Sequence, residues 1–294
     1  MALTNKTICV TSYNSRGFSE EKQEFIKTLQ LFSDILVIQE HFLLTSKTKN
    51  HSNTNKIVKS LGQHFDMYIA AAVKENNAVH GGRGKGGLAT LWRKELTKYV
   101  TQIKSDNFRL QATKFSLPSG HLLIINSYLP CDPGHDNYDD QELQLVLAEI
   151  RRMVDISNCH NILVAGDLNC DFSRQNRFVR TIRDFFEDIG LVSFWAQDDN
   201  ENISNNNGAS YLSKIDHFIS NERVYNAVVE ASVIHSGENL SDHSPIFCKL
   251  NVGELDVSLE NEIRTKVPSW KKATEDDKNI YNTCLLYTSD AADE

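Results

Sequence analysis

Carboxylates, carboxamides, a phenol and an imidazole recur at the ends of apolar runs in this 294-residue chain. Asn14 follows the run that opens at Thr7, Gln39-Glu40 follows Ile35 to Ile38, and Ser127-Tyr128 follows Leu122 to Ile125. Gly166-Asp167-Leu168-Asn169 follows Ile162 to Ala165, and Ser241-Asp242-His243 precedes Ile246 to Leu250. If these runs are strands of one packed pair of sheets, their ends converge on one solvent-facing rim. An oxygen-rich set with a single imidazole suits a hard divalent cation and phosphoryl transfer. Singly, each residue has a bland explanation: Glu40 as a solvated strand end, Asp167-Leu168-Asn169 as an Asx turn, His243 as a cap, Asp216 as a surface acid. Their recurrence at equivalent places outweighs any one of these explanations.

The elements that would position them can be read from periodicity. Strand-like apolar runs (also Leu88 to Trp92) alternate with helical patterns, which favours a layered α/β or α+β domain over a bundle or a β-sandwich. Thr7 to Thr11 alternates and is rich in β-branched residues. After the turn-like Asn14-Ser15-Arg16-Gly17, Ser19 is a helix N-cap with Glu20 and Glu21 in the first turn, and Phe25, Ile26, Leu29 and Phe32 form the buried face. Further helices fit 140–155 and 176–189. No internal repeat is visible, and Asn202 to Gly208 reads as a polar loop.

Composition excludes several classes. With 40% hydrophobic and 24% charged residues the chain can bury a large core. No apolar run approaches the roughly 20 residues that cross a bilayer, and the start shows no signal peptide. Cysteines at 9, 131, 159, 170, 248 and 284 form no CxxC pair and read as reduced thiols. A net charge of -8 argues against coating nucleic acid by bulk electrostatics but permits a local basic groove. Gly82-x-Gly84-x-x-Gly87 precedes a strand instead of joining a strand to a helix, so it is no dinucleotide fingerprint. Arg83 and Lys85 in it read as a flexible basic loop able to follow a phosphate backbone. Gly-x-Ser-x-Gly and His-Glu-x-x-His are absent, leaving serine-hydrolase and zincin chemistry without support.

Together, Asn14, Gln39-Glu40, Tyr128, Gly166-Asp167-Leu168-Asn169, Ser213-Lys214-Ile215-Asp216 and Ser241-Asp242-His243-Ser244-Pro245 make an ordered series. In it the chain resembles the endonuclease/exonuclease/phosphatase superfamily over about residues 6–252. The resemblance implies a four-layer fold, with two mixed β-sheets packed face to face and flanked by helices, and a divalent-metal phosphodiesterase or phosphatase site on one edge. Within the superfamily, Ser213 to Ile219 and Pro268-Ser269-Trp270-Lys271-Lys272-Ala273 are most similar to the N-terminal endonuclease of LINE-type non-LTR retrotransposons. That likeness implies double-stranded DNA as partner, action in the nucleus, and a covalently linked reverse transcriptase. Residues 1–252 would be the catalytic domain and 253–283 a linker toward the reverse transcriptase. Residues 284–294 (CLLYTSDAADE) resemble the translation of a sequencing-library adapter. One departure from the pattern is the Asn-rich stretch Asn202 to Ser210, where the family carries a strand.

The same resemblance, joined to the chemistry of the side chains, implies roles. Glu40 is the expected Mg²⁺ ligand, with Mn²⁺ as a substitute, and Asn14 and Asp242 complete the metal and phosphate environment. Asp167 orients and deprotonates the water, and Asn169 and Tyr128 donate hydrogen bonds to the scissile phosphate. His243 contacts a phosphate oxygen while Asp216 accepts its other ring N–H. Arg16, Arg83, Lys85 and Ser241 are candidate substrate contacts. The alternatives are a phosphatase of inositol phosphates or sphingolipids and an inactive scaffold; the scaffold is disfavoured because no core site position is substituted.

Overall fold

The computed structural model describes residues 7–44, 59–74, 84–135, 137–194 and 214–255. All of them fall in one compact unit, Met1–Asp256. The expectations for Arg83, Ser213, the polar loop at 202–208, Cys284, the end of the linker and the adapter-like string lie outside the described residues.

Strand β1 (Thr7–Asn14) shows how alternation becomes layering. Ile8 and Val10 point into one apolar cluster, and Tyr13 points into another on the opposite side. The first cluster lies between two six-stranded sheets. Its members come from β1, β2 (Ile35–Gln39) and β14 (Ile246–Asn251) on one side, and from β8 (Leu110–Leu117), β9 (Gly120–Tyr128), β10 (Asn161–Asp167) and β12 (Asp216–Ser220) on the other. In the second cluster, α1 (Glu20–Phe32) buries Phe25, Ile26 and Leu29 against Tyr13, Leu36 and Ile38. In a third, α2 (Gln141–Ser157) and α3 (Arg177–Asp188) cover Leu123, Ile125, Val164 and Ile219. The stack is therefore helix, sheet, sheet, helices, as the resemblance implies.

With β3 (Phe65–Ala70), β6 (Leu88–Arg93) and β13 (Val228–Val233), the first sheet has the order β13-β14-β1-β2-β6-β3. With β7 (Val100–Ile103) and β11 (Val192–Ser193), the second runs β11-β12-β10-β9-β8-β7. Both are mixed: β1 pairs parallel with β2, and β10 parallel with β9, while the other pairings are antiparallel. Parallel neighbours end at the same edge, so the polar residues after β1, β2, β9 and β10 gather there.

Local signals hold at the helix ends. Ser19 accepts from the backbone N–H of Lys22 at 3.3 Å, and Asn176 caps α3 by accepting from Val179 N–H at 2.9 Å. Phe32 departs from expectation. It is 42% exposed and meets Phe247 edge-on, because Ser33 caps the helix there and the chain turns toward β2 before Phe32 can reach the core. Among the described cysteines, Cys9, Cys131, Cys159, Cys170 and Cys248 are free thiols, and no described helix is long and apolar enough to cross a membrane.

Gly166 shows how closely the strands of the second sheet approach. Its φ is +150°, and a Cβ there would lie 1.9 Å from the carbonyl oxygen of Ser127 on β9. Gly166→Ala is therefore expected to destabilise the domain by about 3 kcal/mol or more through backbone strain and strand separation. Circular dichroism melts check this. A melting temperature within a few degrees of the parent would show that β9 and β10 do not need the close approach.

Candidate active site

Register assembles the site. Across the second sheet, Asp167 pairs with Tyr128 on β9 and with Asp216 on β12, which sets three functional groups in one row. In the first sheet Asn14 pairs with Gln39, and Glu40 follows directly. The two rows meet across the sheet interface. The Asn14 side-chain amide donates to Asp167 Oδ2 at 2.9 Å and to Glu40 Oε1 at 3.3 Å. Its carboxamide oxygen accepts from the Arg16 backbone N–H at 3.1 Å, so Asn14 presents a donor, not an oxygen ligand, to the carboxylates.

Beneath this bridge runs a buried polar seam. Gln39 Nε2 donates to Asn126 Oδ1 at 2.8 Å, and Asn126 Nδ2 donates to the carbonyls of Ile38 and Ala89, both at 3.1 Å. Gln39 and Asn126 are fully buried, and neutral amides paired this way join the sheets in a fixed register without leaving charge in the core.

The rim expected to face solvent lies deeper. Asn14 is 0% and Asp167 1% exposed. Asp167 Oδ1 accepts from the Asn169 backbone N–H at 2.8 Å, leaving Oδ2 toward Asn14 and His243. Burial, then the charge of Asp216, raises the Asp167 pKa above the carboxylate range, against the opposing pull of His243 and its two hydrogen-bond donors. His243 Nδ1–H donates to Asp216 Oδ2 at 2.7 Å, and its Nε2 stands 3.9 Å from Asp167 Oδ2. Burial disfavours the charged ring, but the hydrogen bond and charge of Asp216, then Asp167 and Asp242, raise it to about 9. One atom each from Asp167, Asp216 and His243 lies within 4.8 Å of the others.

Tyr128 is 8% exposed. Burial first, then its hydrogen bond to Glu40 and the Glu40 charge, raises the phenol pKa, which keeps it a proton donor. Asn169 donates one amide proton to the Leu129 carbonyl at 2.9 Å. Arg16 forms an ion pair with Asp242, and the charge of Glu40 also acts on it. Ser241 donates its hydroxyl to the Asn14 carbonyl at 2.8 Å and accepts from His243 N–H, tying the last loop to β1. Backbone conformation is unusual here: Arg16, Glu40, Phe42 and Asn169 all have φ between +43° and +58°.

Residues 84–87, the described part of the glycine loop, are packed. Gly84–Lys85 (β5) pairs with Val73–Lys74 (β4), and the carbonyls of Gly86 and Gly87 accept from Phe42 and His41 N–H. A Cβ on Gly87 would sit 2.5 Å from the His41 ring. The glycine admits that ring; it does not loosen the chain, contrary to the flexible loop expected. Lys85 is exposed beside the site.

Several supporting residues carry no motif signal of their own. Asn239 Nδ2 donates to the His243 carbonyl at 2.7 Å, while its oxygen accepts from Ser241 N–H and from the Tyr13 hydroxyl at 2.8 Å. Asn-x-Ser-x-His is a double turn, which the residue types alone could have suggested. His217, fully buried, contacts the carbonyls of Lys214 and Cys170 through Nε2, both at 2.8 Å, and so fixes the start of β12 where Asp216 sits.

Two mixed sheets with flanking helices and a buried carboxylate–imidazole cluster at one sheet edge define a class of α/β sandwich. The chain matches the model of the Endonuclease/Exonuclease/phosphatase family over residues 11–243, and it belongs to that family. Solved structures share the fold at low identity. A 3′ phosphatase from Neisseria, bound to a product DNA hairpin, is 17% identical with a TM-score of 0.57, covering 83% of this chain and 99% of its own. An AP endonuclease from Leishmania major is 16% identical with a TM-score of 0.56, covering 83% and 87%. The endonuclease domain of TRAS1, a telomere-specific non-LTR retrotransposon, is 12% identical with a TM-score of 0.56, covering 84% and 99%. No curated protein matches the sequence.

The His243 ring gives a direct test of the electrostatics. Folding raises its pKa from 6.5 to about 9, so its contribution to stability is complete below about 6.5 and lost as pH rises through about 9. In metal-free protein, NMR should find the ring still protonated at pH 7.5. Asp216→Asn should move its titration midpoint down toward the ordinary histidine range. A midpoint unmoved by that change would remove Asp216 as the partner.

Proposed function

We propose that this chain is a divalent-metal-dependent endonuclease that nicks double-stranded DNA and leaves a 3′-hydroxyl. The observation that supports it most is the buried Asn14–Asp167–His243–Asp216 arrangement, which holds a carboxylate of raised pKa next to a protonated imidazole. A carboxylate base is most effective when its pKa approaches working pH, and an imidazolium can stabilise charge developing on a phosphate oxygen.

In this reading Asp167 aligns the attacking water through Oδ2 and takes its proton. Asn169, with one amide proton committed to Leu129, donates the other to the scissile phosphate, and the un-ionised Tyr128 would turn its single proton from Glu40 to the phosphate once Glu40 holds the cation. His243 contacts a phosphate oxygen through Nε2–H while Asp216 holds Nδ1–H. The donor set fits a hard cation: Glu40 is a carboxylate on a strained backbone turn, and Asp242 is a second carboxylate whose present counter-charge is Arg16. A divalent ion held there would neutralise phosphate charge and assist the leaving oxygen. Lys85, Arg16 and, outside the described residues, Arg83 would grip flanking phosphates. Ser241 acts by holding the Asn14 backbone.

The retroelement assignment rests on the motif likeness and on the TRAS1 fold similarity, and it adds a reverse transcriptase beyond a linker at 253–283, with action in the nucleus. Genomic sequence beyond residue 283 tests it: a reverse transcriptase reading frame supports the assignment, and its absence removes it.

Nicking of supercoiled plasmid should vanish with chelator and return with Mg²⁺ or Mn²⁺. Asp167→Asn should lower the rate at least ~10²-fold by removing the base. Its amide would face the donors Asn14 Nδ2 and Asn169 N–H, so melts must accompany the assay. Turnover of soluble inositol phosphates without relaxed-circle product would overturn the nuclease reading.

The second expectation concerns salt. With a chain charge of -8 and few basic groups near the site, DNA binding should be weak and nicking should fall as salt rises, with a slope set by the small number of phosphate contacts. Lys85→Ala with Arg83→Ala should lower it further and flatten the salt dependence. A salt slope identical to that of the parent would exclude this loop from the DNA surface.

A further inference from the structure

We propose that Arg109, which belongs to none of the site motifs, is the positioning residue that holds Tyr128 and Asn169 in their working geometry. The inference rests on the reading of those two residues as phosphate donors. Arg109 stands just before β8, at the end of the β8–β9 ladder, whose last pair is Leu110 with Ser127. Beyond that pair β8 no longer flanks β9, so the sheet holds Tyr128 and Leu129 only from the β10 side, where Tyr128 pairs with Asp167.

On the other side the arginine takes the place of β8. Its Nη1 donates to the carbonyls of Tyr128 at 3.2 Å and Leu129 at 3.3 Å, and its own carbonyl accepts from Tyr128 N–H at 2.9 Å. The guanidinium carbon lies 5.0 Å from the Tyr128 ring centroid and 5.1 Å from that of Phe108, so the phenol is held by its backbone and by its ring face. The Leu129 carbonyl is shared, for it also accepts the Asn169 side-chain amide. Leu129 N–H in turn donates to the Asp167 carbonyl at 2.9 Å. One guanidinium thus orients a phenol and, through one carbonyl, the amide that stands two residues after the base.

A purely structural explanation is weaker. The Arg109 side chain is 4% exposed, and a buried cation carries a desolvation penalty that a methionine of similar volume would not. Its carboxylate partner, Glu142 on α2 at 2.8 Å, is 55% exposed and so contributes little to stability. What arginine supplies and methionine cannot is a planar cation whose Nη1 donates to two successive carbonyls while its Nε holds Glu142 and its face lies over the Tyr128 ring.

The test measures steady-state nicking with Arg109→Met and Arg109→Lys, each checked by thermal melts. Arg109→Met should lower kcat by ~10–10²-fold with KM for DNA within about threefold, since misplacing groups that act on the reacting phosphate affects the chemical step. Lysine keeps the charge but not the planar guanidinium that reaches the carbonyls, Glu142 and the Tyr128 ring at once, so Arg109→Lys should recover little. In a Tyr128→Phe, Asn169→Ala background, Arg109→Met should reduce kcat by less than about twofold more, because nothing remains to position. Full kcat in a folded Arg109→Met chain, recovery by lysine, or an undiminished further loss in that background would each overturn the proposal. Should Arg109→Met fail to fold, Glu142→Ala releases one anchor of the intact arginine. A several-fold loss of kcat that disappears in the same background supports the proposal, and an unchanged kcat overturns it. Side-chain NMR separates this from the nuclease reading, since displaced Asn169 amide and Tyr128 ring resonances in the Arg109 variant require no activity at all. Unmoved resonances would refute the positioning role even if the wild type nicks DNA.

Discussion

The hydrogen bond from Asn14 to Asp167 is the constraint on which the molecule turns. It joins the last residue of one sheet's central strand to the last residue of the other's, and it does so around a carboxylate that is 1% exposed. An isolated buried carboxylate would take up a proton or pull water in. Here the Asn14 amide, the Asn169 backbone N–H and the His243 ring face it, so it remains available as a base with its pKa moved upward. Each of those partners needs its own anchor. Asn14 is held by Ser241 through its carbonyl, His243 by Asp216 and Asn239, and the close approach of β9 and β10 requires glycine at 166. Two sheets packed only by apolar contacts could slide by a fraction of an ångström at small cost. The Gln39–Asn126 seam removes that freedom, because a shifted register would leave buried amides unpaired.

How much of this could be read from the sequence depends on the kind of signal. The end positions were legible because catalytic side chains must stand at strand ends, and β1, β2, β6, β9, β10 and β14 are apolar enough to mark where strands finish. β8 was not legible. Leu110–Leu117 mixes Gln111, Thr113 and Lys114 with its apolar residues, and Gln111 is buried because it bonds across the interface to Thr90 and to the Tyr68 carbonyl. β3, β7 and β13 escaped for the opposite reason: they lie at or next to sheet edges, half-covered, so their polarity pattern resembles loop. In the site, residue types announced Asp167, Asp216 and His243. Burial did not follow from them, and Asn14 turned out to offer its amide, since only the fold decides which end of a carboxamide faces a carboxylate.

Glycines and left-handed residues divide the remaining work. Glu40 and Phe42 both take positive φ on either side of His41, whose ring is buried, accepts from Leu43 N–H through Nδ1 and reaches the carbonyls of Ala70 and Leu88 through Nε2. Burial lowers the pKa of that imidazole to about 4, so it stays neutral and serves as a rigid spacer. The turn it stabilises aims Glu40 at Tyr128 and Asn14, and Gly87 has no side chain so that the ring can fit. Strain at a carboxylate is tolerated where surrounding bonds over-determine it, and here the Leu43 N–H and the Ala70 and Leu88 carbonyls do so through the His41 ring.

The site also separates two electrostatic tasks by sheet. Glu40, and Asp242 in the loop before β14, belong to the first sheet; Tyr128, Asp167 and Asp216 belong to the second. His243 crosses over, starting on the first sheet's side and bonding to Asp216 on the second. Asn14 stands between Glu40 on one sheet and Asp167 on the other as a neutral donor to both, which separates two like charges. Charge that would destabilise a single patch is thereby spread across an interface. The polar bonds that hold the sheets together are the same ones that tune the groups at their edge.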